Sequence, residues 1–261
     1  MKKKRASILI TNYNKSIFLN KCLKSSVDQD FYNKEILIFD DKSNDNSISI
    51  IKKFKKIKLF INKKKKFNSG PLNQIYGIRQ LIKKSKGELI FLLDGDDFFK
   101  KNKLSKFIKI FDKNKKLNFL QDTPFNSLTN NKMVLNKRYS RYTIWPRFFP
   151  TSTIVVRKTY FEKFLKLILP NKFPNLEIDA RISIYSHLKN EFAFVKQSYT
   201  VYNNDTKGIT SNYKKYKKKW WIKRMEAFNY MQYLTKIFKM EFKKGPDFYL
   251  TKLINFFLEL K

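Results

Sequence analysis

Residues 88–97 have the sequence ELIFLLDGDD, in which five consecutive apolar residues are followed by three aspartates and one glycine. An apolar run of this length, ending in acidic residues, predicts a β-strand that is buried on both faces. Such strands are typical of parallel sheets that are covered by helices on each side. In those sheets the ligand crevice lies beyond the carboxyl ends of the strands, which is where the aspartates fall.

Earlier stretches of the chain repeat this pattern. SILIT (residues 7–11), EILIFD (35–40) and KLFIN (58–62) are predicted strands, and apolar residues at helical spacing separate them. Further helices are predicted from about Ser16 and over 44–54, 72–82, 104–111, 158–169 and 179–188, with a mixed region at 118–156 and short strands at 192–195 and 199–202. The alternation predicts an α/β fold with a mostly parallel central sheet and helices on both faces.

Acidic residues are scarce in this chain, so their clustering is informative. The chain has 57 Lys and Arg against 21 Asp and Glu. Asp40, Asp41 and Asp45 nevertheless lie close together after the second predicted strand, and another three aspartates follow the fourth. Because the carboxyl ends of parallel strands meet at one edge, we expect both clusters to converge on a single site.

The DGDD segment predicts a site for a hard cation. Residues two apart on an extended backbone point the same way, so Asp94 and Asp96 could face one ion. Oxygen ligands suit Mg2+ or Mn2+, which commonly share their shell with substrate phosphates. The alternative is that Asp96 or Asp97 caps the next helix, which would account for one carboxylate but not for three.

The motifs together resemble the N-terminal half of family 2 glycosyltransferases with the GT-A fold. The resemblance is carried in order by TNYNKSIFLNKCLKSSVDQDF (11–31), EILIFDDKSNDNS (35–47), NSG (68–70), GIR (77–79) and KGELIFLLDGDD (86–97). It implies inverting transfer of a sugar from a nucleotide-sugar donor, with a UDP-sugar first among donors. It also implies synthesis of cell-envelope polysaccharide or glycolipid, and a saccharide or lipid-linked acceptor.

The same resemblance assigns roles to individual residues. It implies that Thr11, Tyr13, Asp41, Arg79 and Asp94 bind the nucleotide and its diphosphate, and that Asp96, or Asp97 in its place, binds the metal. It also places Trp145 and Arg147 in the region where acceptors bind, although core packing is an equal interpretation of Trp145.

An inverting transfer needs a base for the acceptor proton, and with one histidine in the chain a carboxylate is expected. FPNLEIDARISIYSHL (173–188) resembles the acidic segment of the family, usually an adjacent Glu-Asp pair followed by Arg. Here Ile178 separates Glu177 from Asp179, which leaves the choice open. We favour Asp179, with Glu177 second; the competing interpretation is that Asp179 caps the helix and pairs with Arg181 on the surface.

Composition limits the other function classes. One cysteine and one histidine exclude a disulfide framework and the usual Cys/His zinc sites. The net charge of +36 would suit a polyanion, but the lysines are spread along the whole chain and no nucleic-acid module accompanies them. We therefore expect no specific nucleic-acid partner. A non-enzymatic polyanion binder and a phosphatase of the haloacid dehalogenase type remain alternatives; the latter requires its aspartate pair after the first strand.

The chain changes character towards its C-terminus. We expect residues 1–212 to form the nucleotide-sugar-binding and catalytic domain and 213–261 to form a basic, aromatic helical extension. Lysines surround Trp220 and Trp221 within 214–224, a composition that suits anionic lipid headgroups. With no apolar run long enough for a membrane span and no secretory signal, the expected location is cytoplasmic, either free or on the cytoplasmic face of the membrane; a solvated helix is the equal alternative.

Overall fold

A computed structural model of the protein describes residues 5–134, 148–203, 208 and 213–259. Its strands are β1 Ala6–Asn12, β2 Lys34–Asp40, β3 Ile57–Ile61, β4 Leu89–Asp94, β5 Phe98–Phe99, β6 Phe119–Asp122, β7 Phe125–Asn126, β8 Asn131–Lys132, β9 Ile154–Arg157, β10 Phe192–Val195 and β11 Thr200–Tyr202. Its α-helices are α1 Ser16–Val27, α2 Ser47–Lys52, α3 Gly70–Lys84, α4 Lys103–Lys113, α5 Lys158–Lys166, α6 Ile178–Leu188, α7 Lys218–Ile237 and α8 Pro246–Glu259. A short 3-10 helix spans Thr151–Thr153.

The central sheet is mostly parallel, as the apolar runs predict. Within the described residues its strand order is β10-β6-β9-β4-β1-β2-β3, and β3, β2, β1 and β4 run in the same direction. Strand β9 is antiparallel to both of its neighbours, β4 and β6. A smaller sheet with the order β5-β11-β7-β8 lies beside it.

Alternate residues of the central strands enter two separate cores. Leu9 and Leu37 belong to the core that includes residues of α3, α5, α6 and α7, whereas Ile8 and Ile38 belong to the core that includes residues of α1, α2 and α4. Side chains of a strand alternate between its faces, so this division shows that helices cover both sides of the sheet. The predicted α/β architecture is confirmed.

The C-terminal helices pack on the face of the sheet that α3, α5 and α6 cover. Ala227, Tyr230 and Met231 of α7 are buried in the core that contains α6, and Phe228 stacks edge-on against Phe248 of α8. Helix α7 is therefore part of that core, and α8 packs on α7. In the part of the chain that the structure describes, no helix has the length and apolar character needed to cross a bilayer.

Candidate active site

The ends of three parallel strands meet at one edge of the central sheet. Thr11 of β1 lies beside Asp94 of β4, and Asn12 of β1 lies beside Asp40 of β2. A cavity of about 870 Å³ opens there. Seven of the predicted site residues line it: Thr11, Tyr13, Asp41, Asp94, Asp96, Glu177 and Asp179. Aspartates that are far apart in the sequence therefore face one shared cavity.

One wall of the cavity is formed around Asp41. Its Oδ1 accepts a hydrogen bond from the Asn62 amide at 2.7 Å, and its backbone N–H donates to the Asn12 carbonyl at 2.9 Å. Burial raises the pKa of the Asp41 carboxyl, although the Asn62 bond and the charge of Lys65 oppose this. The Lys65 ammonium lies 3.5 Å from the centre of the Tyr13 ring, which is partly exposed. This wall offers a fixed carboxylate and an aromatic face.

Asp94 also lines the cavity. Its Oδ1 accepts hydrogen bonds from Thr11 Oγ1 at 2.9 Å and from Gln74 Nε2 at 2.8 Å, while its backbone N–H donates to Ser152 Oγ at 3.0 Å. Burial, followed by the negative charge of Asp96, raises the pKa of Asp94 to about 6. The carboxylate is thus held in place by two neutral donors.

Gly95 lets the chain turn closely past β1. Its N–H donates to the Thr11 carbonyl at 2.9 Å, and a Cβ at this position would lie 2.5 Å from Asn12 Oδ1. Asn12 is fixed in turn, because its amide donates to Asp40 Oδ2 at 2.7 Å. A residue with a side chain could not occupy position 95 unless Asn12 moved.

Asp96 and Asp97 have different environments. Asp96 lines the cavity, and its Oδ2 lies 2.8 Å from the Lys15 ammonium. Asp97 is buried, where it accepts hydrogen bonds from Ser152 Oγ at 2.5 Å and from the Asn203 N–H at 2.8 Å. Burial, then the charges of Asp96 and Asp94, raise the pKa of Asp97 well above its usual value. Of the two, Asp96 is the one that a cavity ligand can reach.

A second pair of acids lines the same cavity, at the start of α6. Glu177 precedes the helix and Asp179 lies in its first turn, where the Ala180 N–H donates to Asp179 Oδ1 at 2.7 Å. The Lys223 ammonium, from α7, lies 2.5 Å from Glu177 Oε1. Burial, then the charge of Glu177, raise the pKa of Asp179 to about 7, and Lys223 opposes the rise. A carboxylate with this pKa is suited to accept a proton near neutral pH.

Comparison with known proteins identifies the family. The model of "Glycosyl transferase family 2" matches residues 7–171, more than half of the chain. The chain belongs to glycosyl transferase family 2. The matched segment includes the strand ends that carry Asp41, Asp94 and Asp96.

Sequence relatives of this glycosyltransferase are bacterial and archaeal. It is 29% identical over 180 residues to an uncharacterized glycosyltransferase of Haemophilus influenzae, an alignment that covers 66% of each chain. It is 33% identical over 98 residues to the GalNAc(5)-diNAcBac-PP-undecaprenol beta-1,3-glucosyltransferase of Campylobacter jejuni, covering 36% of this chain and 30% of that one. The matches thus span less than two thirds of the length of these relatives.

Solved structures share the fold at low sequence identity. TarS of Staphylococcus aureus in complex with UDP-GlcNAc superposes with a TM-score of 0.62 at 16% identity, over 87% of this chain and 66% of that one. A mannosyltransferase from Pyrobaculum calidifontis in complex with GDP-Man and Mn2+ superposes with a TM-score of 0.60 at 13% identity, over 94% and 66% of the two chains. The GT-A architecture of this glycosyltransferase is therefore shown.

Some predicted site residues of the glycosyltransferase lie elsewhere. Neither Arg79 nor Asp97 is among the described residues that line the cavity. The Arg79 guanidinium donates to the main-chain carbonyls of Leu165 (2.5 Å) and Ile168 (3.0 Å), so its position gives no support to a diphosphate role. Trp145 and Arg147 lie outside the described residues.

The alternative interpretation of that segment expected Arg181 to pair with Asp179 on the surface. The structure, which describes both residues, shows no such surface pair. Arg181 is fully buried, and its guanidinium donates to the carbonyls of Lys172, Phe173 and Leu176. These bonds hold the loop that leads into α6. Arg181 therefore supports the loop before the two acids, and Asp179 is left facing the cavity.

Several functional side chains escaped sequence reasoning. Lys15, Gln74 and Ser152 contact the aspartates of the DGDD segment, and Lys223 contacts Glu177. Lysines are so common in this chain that Lys15 and Lys223 carry no distinguishing signal, and Gln74 is indistinguishable from an ordinary helix-surface residue. Ser152 lies in the short 3-10 helix Thr151–Thr153, and its hydroxyl contacts both Asp94 and Asp97.

The donor set of the site fits a cation that shares its ligands with a substrate. Among the described residues, no group of three or more Asp, Glu, His or Cys side chains is arranged to hold a metal ion by itself. Asp96 faces the cavity and Asp94 lies beside it, so the protein offers oxygen donors only. A hard cation that takes its remaining ligands from phosphate and water suits such a site.

Proposed function

We propose that this glycosyltransferase moves a sugar from a nucleotide-diphosphate-sugar to an acceptor hydroxyl, with inversion at the anomeric carbon, in the synthesis of cell-surface polysaccharide or glycolipid. One observation carries the proposal: Asp41, Asp96 and Asp179, from three distant parts of the sequence, line the same cavity. Inverting transfer needs a donor site and a base on two sides of the reacting carbon. The names of the relatives, which include an undecaprenol-linked glucosyltransferase, support this class of acceptor.

The donor side is assigned to the ends of β1, β2 and β4. Asp41, which Asn62 holds in place, would accept a hydrogen bond from the nucleotide base, and Tyr13 and Thr11, which line the same cavity, would complete the nucleotide pocket. Asp94 and Asp96 would hold Mg2+ or Mn2+ together with the diphosphate. A bound divalent cation would supply positive charge where the leaving diphosphate gains negative charge. UDP is our first choice of nucleotide, because TarS is solved with UDP-GlcNAc.

Asp179 is assigned as the base. As the acceptor oxygen forms its bond to the anomeric carbon, the bond from that carbon to the diphosphate oxygen breaks and the hydroxyl proton passes to the Asp179 carboxylate. A pKa of about 7 leaves a useful fraction ionised at neutral pH and gives it the basicity to keep the proton. Glu177 is the alternative base, but its ion pair with Lys223 occupies one of its oxygens.

We assign the acceptor to the mouth of the cavity. If the acceptor is lipid-linked, the start of α7 would contact the membrane that carries it. Lys214, Lys215, Lys217, Lys218 and Lys219 are exposed, and Trp220 and Trp221 follow them. We propose that residues 214–224 contact anionic lipid from the cytoplasmic side, which would bring a lipid-linked acceptor to the cavity. Within this segment Lys223 and Arg224 pair with Glu177 and Asp247, so the exposed lysines before them supply the lipid contact.

Calorimetric titration with UDP- and GDP-sugars, with Mn2+ and with a chelator, tests the donor assignment. We expect metal-dependent binding of one nucleotide class. Asp41→Asn should weaken it at least tenfold, because the charged acceptor becomes a neutral amide whose single oxygen is already the acceptor for Asn62. Asp112→Asn is the matched control, since Asp112 is exposed and pairs with Arg5 away from the cavity. Hydrolysis of phosphate monoesters, or salt-sensitive DNA binding without nucleotide-sugar binding, would support the phosphatase or the polyanion binder instead.

Hydrolysis of the donor in single-turnover reactions tests the assignment of Asp179 as the catalytic base. Asp179→Asn should abolish sugar transfer, to water or to an acceptor, while nucleotide binding stays within a factor of about two because the base does not touch the nucleotide. Unchanged turnover in Asp179→Asn combined with complete loss in Glu177→Gln would reassign the base to Glu177.

A further inference from the structure

Helix α8 is buried on one side and exposes apolar residues on the opposite side. Its inner side is buried against α7 through Phe248, Thr251 and Asn255. On its other side Tyr249, Leu250, Leu253, Phe256 and Phe257 each expose between 52% and 58% of their surface. We call these five residues the outer face of α8. At 3.6 residues per turn they occupy a stripe about 120° wide, opposite the buried side.

An apolar stripe of this size needs a partner. Single exposed apolar residues are normal on soluble proteins, but contiguous large ones mark an interaction surface. The inner side of α8 already packs on the protein: the Phe248 and Phe228 rings are 5.4 Å apart, and Arg224 donates to Thr251 at 3.0 Å. Helix α8 is thus held by its inner contacts, and the outer face is left available to something outside the described residues.

The charges around the outer face select its partner. Lys243, Lys244 and Lys252 are exposed on and before α8. The Asn255 amide donates to the Trp221 carbonyl at 3.1 Å, so the C-terminal half of α8 lies beside the start of α7, where the exposed lysines 214–219 cluster. Asp247, the acid of the first turn of α8, is paired with Arg224. Lys252 therefore adjoins the stripe on α8 itself, and further exposed lysines lie before α8 and at the neighbouring start of α7.

We propose that the outer face of α8 inserts into the headgroup region of an anionic lipid membrane. An amphipathic helix with a wide apolar stripe and lysines along its edges lies in the plane of the interface, with its charges at the phosphates. A second copy of the chain fits poorly, because each copy carries a net charge of +36 and the lysines beside the stripe would face one another. Trp220 and Trp221, at the same end, suit the headgroup layer.

This surface is distinct from the cavity, because none of its five residues is among the described residues that line the cavity. The surface itself does not depend on the transfer reaction, so its test uses binding and not turnover.

Vesicle co-sedimentation tests the proposal. The purified chain is mixed with vesicles of phosphatidylcholine alone or of phosphatidylcholine with phosphatidylglycerol. We expect sedimentation with the anionic vesicles only, and the double variant Leu253→Glu, Phe256→Glu should reduce the partition coefficient at least tenfold. The control is Ile17→Glu, Tyr32→Glu, because these apolar side chains are also exposed and the change in charge is the same. Circular dichroism and melting temperature verify that both variants are folded.

Three results would overturn the proposal: no binding of the wild type to anionic vesicles, equal binding to neutral ones, or binding by the α8 variant that equals that of the control. Sedimentation equilibrium provides the remaining test. If the wild type is a dimer that the α8 variant converts to a monomer, the outer face is covered by a second copy. None of these outcomes affects nucleotide-sugar binding, so failure here is separable from failure of the proposed transfer reaction. A wild type that binds no vesicles would also refute the lipid contact proposed for residues 214–224, whereas equal binding by the α8 variant and its control would refute only the outer face.

Discussion

Lys223 provides the sharpest test of the proposed base. Burial and the negative charge of Glu177 raise the pKa of Asp179 to about 7, while the Lys223 ammonium opposes them. An opposite charge in close contact shifts a carboxyl pKa by roughly 1–3 units. Lys223 contacts Glu177 and not Asp179, and its side chain is 21% exposed, so the lower end applies. Lys223→Met should raise the pKa of Asp179 by about one unit.

Glu177→Gln should act in the opposite direction. It removes the negative charge that raises the pKa of Asp179, so that pKa should fall below its wild-type value of about 7. The two carboxyls interact and titrate as a pair, so the profile of each variant is compared with that of the wild type and not assigned to one proton. Opposite shifts from two residues that contact one another are difficult to obtain from general loss of stability.

The assay is the pH profile of kcat/KM for transfer of the donor sugar to water, which needs no acceptor. A base must be ionised to act, so the rate rises with pH through its pKa. The midpoint should move from about 7 in the wild type to about 8 in Lys223→Met, which lowers the rate at pH 7 about fivefold and leaves the plateau at high pH nearly unchanged.

If kcat/KM of Lys223→Met falls by the same factor at every pH and the midpoint of the profile does not move, Lys223 only supports the fold or the substrate. Midpoints that move in the same direction in Lys223→Met and Glu177→Gln would refute the electrostatic argument altogether. Lys189→Met is the control, because Lys189 pairs with Glu191 at the other end of α6 and should leave the midpoint where it is.

Three further predictions follow from single contacts. In Gly95→Ala the new Cβ would lie 2.5 Å from Asn12 Oδ1, so Asn12 must move. Calorimetry should then show nucleotide-sugar binding that is weaker by about tenfold. Unaltered affinity would contradict this prediction. Lys103 and Asp122 form a fully buried ion pair at 3.0 Å, so Lys103→Met should lower the free energy of unfolding in urea by about 3–5 kcal/mol; a loss below about 1 kcal/mol would mean that the Asp122 charge is satisfied by its other donors. Asp179 holds its proton up to about pH 7 in the folded protein against an ordinary value of 3.8, so its contribution to stability is largest at low pH and declines as the pH rises between these values. Asp179→Asn should therefore melt higher than the wild type at pH 8 and equally at pH 4, and a constant difference across this range would contradict the raised pKa.

The sheet was predictable because buried strands must be apolar throughout. The predicted strand at 35–40 is found as Lys34–Asp40, and that at 7–11 as Ala6–Asn12. The position of the site follows from the same argument, since parallel strands end at one edge. Residue type and strand end together were enough to bring Asp41, Asp94 and Asp96 to a single cavity.

The helix after the second strand is shorter than predicted. The sequence indicated 44–54, whereas α2 spans Ser47–Lys52. Asp45 explains the late start: its two carboxylate oxygens accept hydrogen bonds from the N–H groups of Ser16 and Ser47, each at 2.9 Å, at the starts of two helices. The acidic cluster at 40–45 is therefore divided, with Asp41 in the cavity and Asp45 joining α1 to α2.

The partners of charged side chains depend on contacts that no local pattern encodes. Arg79 binds carbonyls at the end of α5, more than eighty residues away, and Asp97 is enclosed by Ser152 and Asn203. A motif fixes where a backbone position lies on a strand end, but the direction of the side chain depends on what packs beside it. This is why Arg79, on α3, and Asp97, after the end of β4, do not line the cavity although the strand ends were placed correctly.

The charge composition makes clusters of acidic residues informative about the site, whereas it makes individual basic residues uninformative. In a chain with 57 basic and 21 acidic residues, a cluster of aspartates stands out from its background, whereas a functional lysine does not. Lys15 and Lys223 each approach a cavity carboxylate closely, at 2.8 and 2.5 Å, and nothing in the sequence separates them from the lysines of the surface. Both meet their acids only because α1 and α7 pack where they do. The sequence of a basic protein can therefore indicate which acids converge on a cavity, whereas the lysines that lower the pKa values of Asp94 and Asp179 are identified only by the fold.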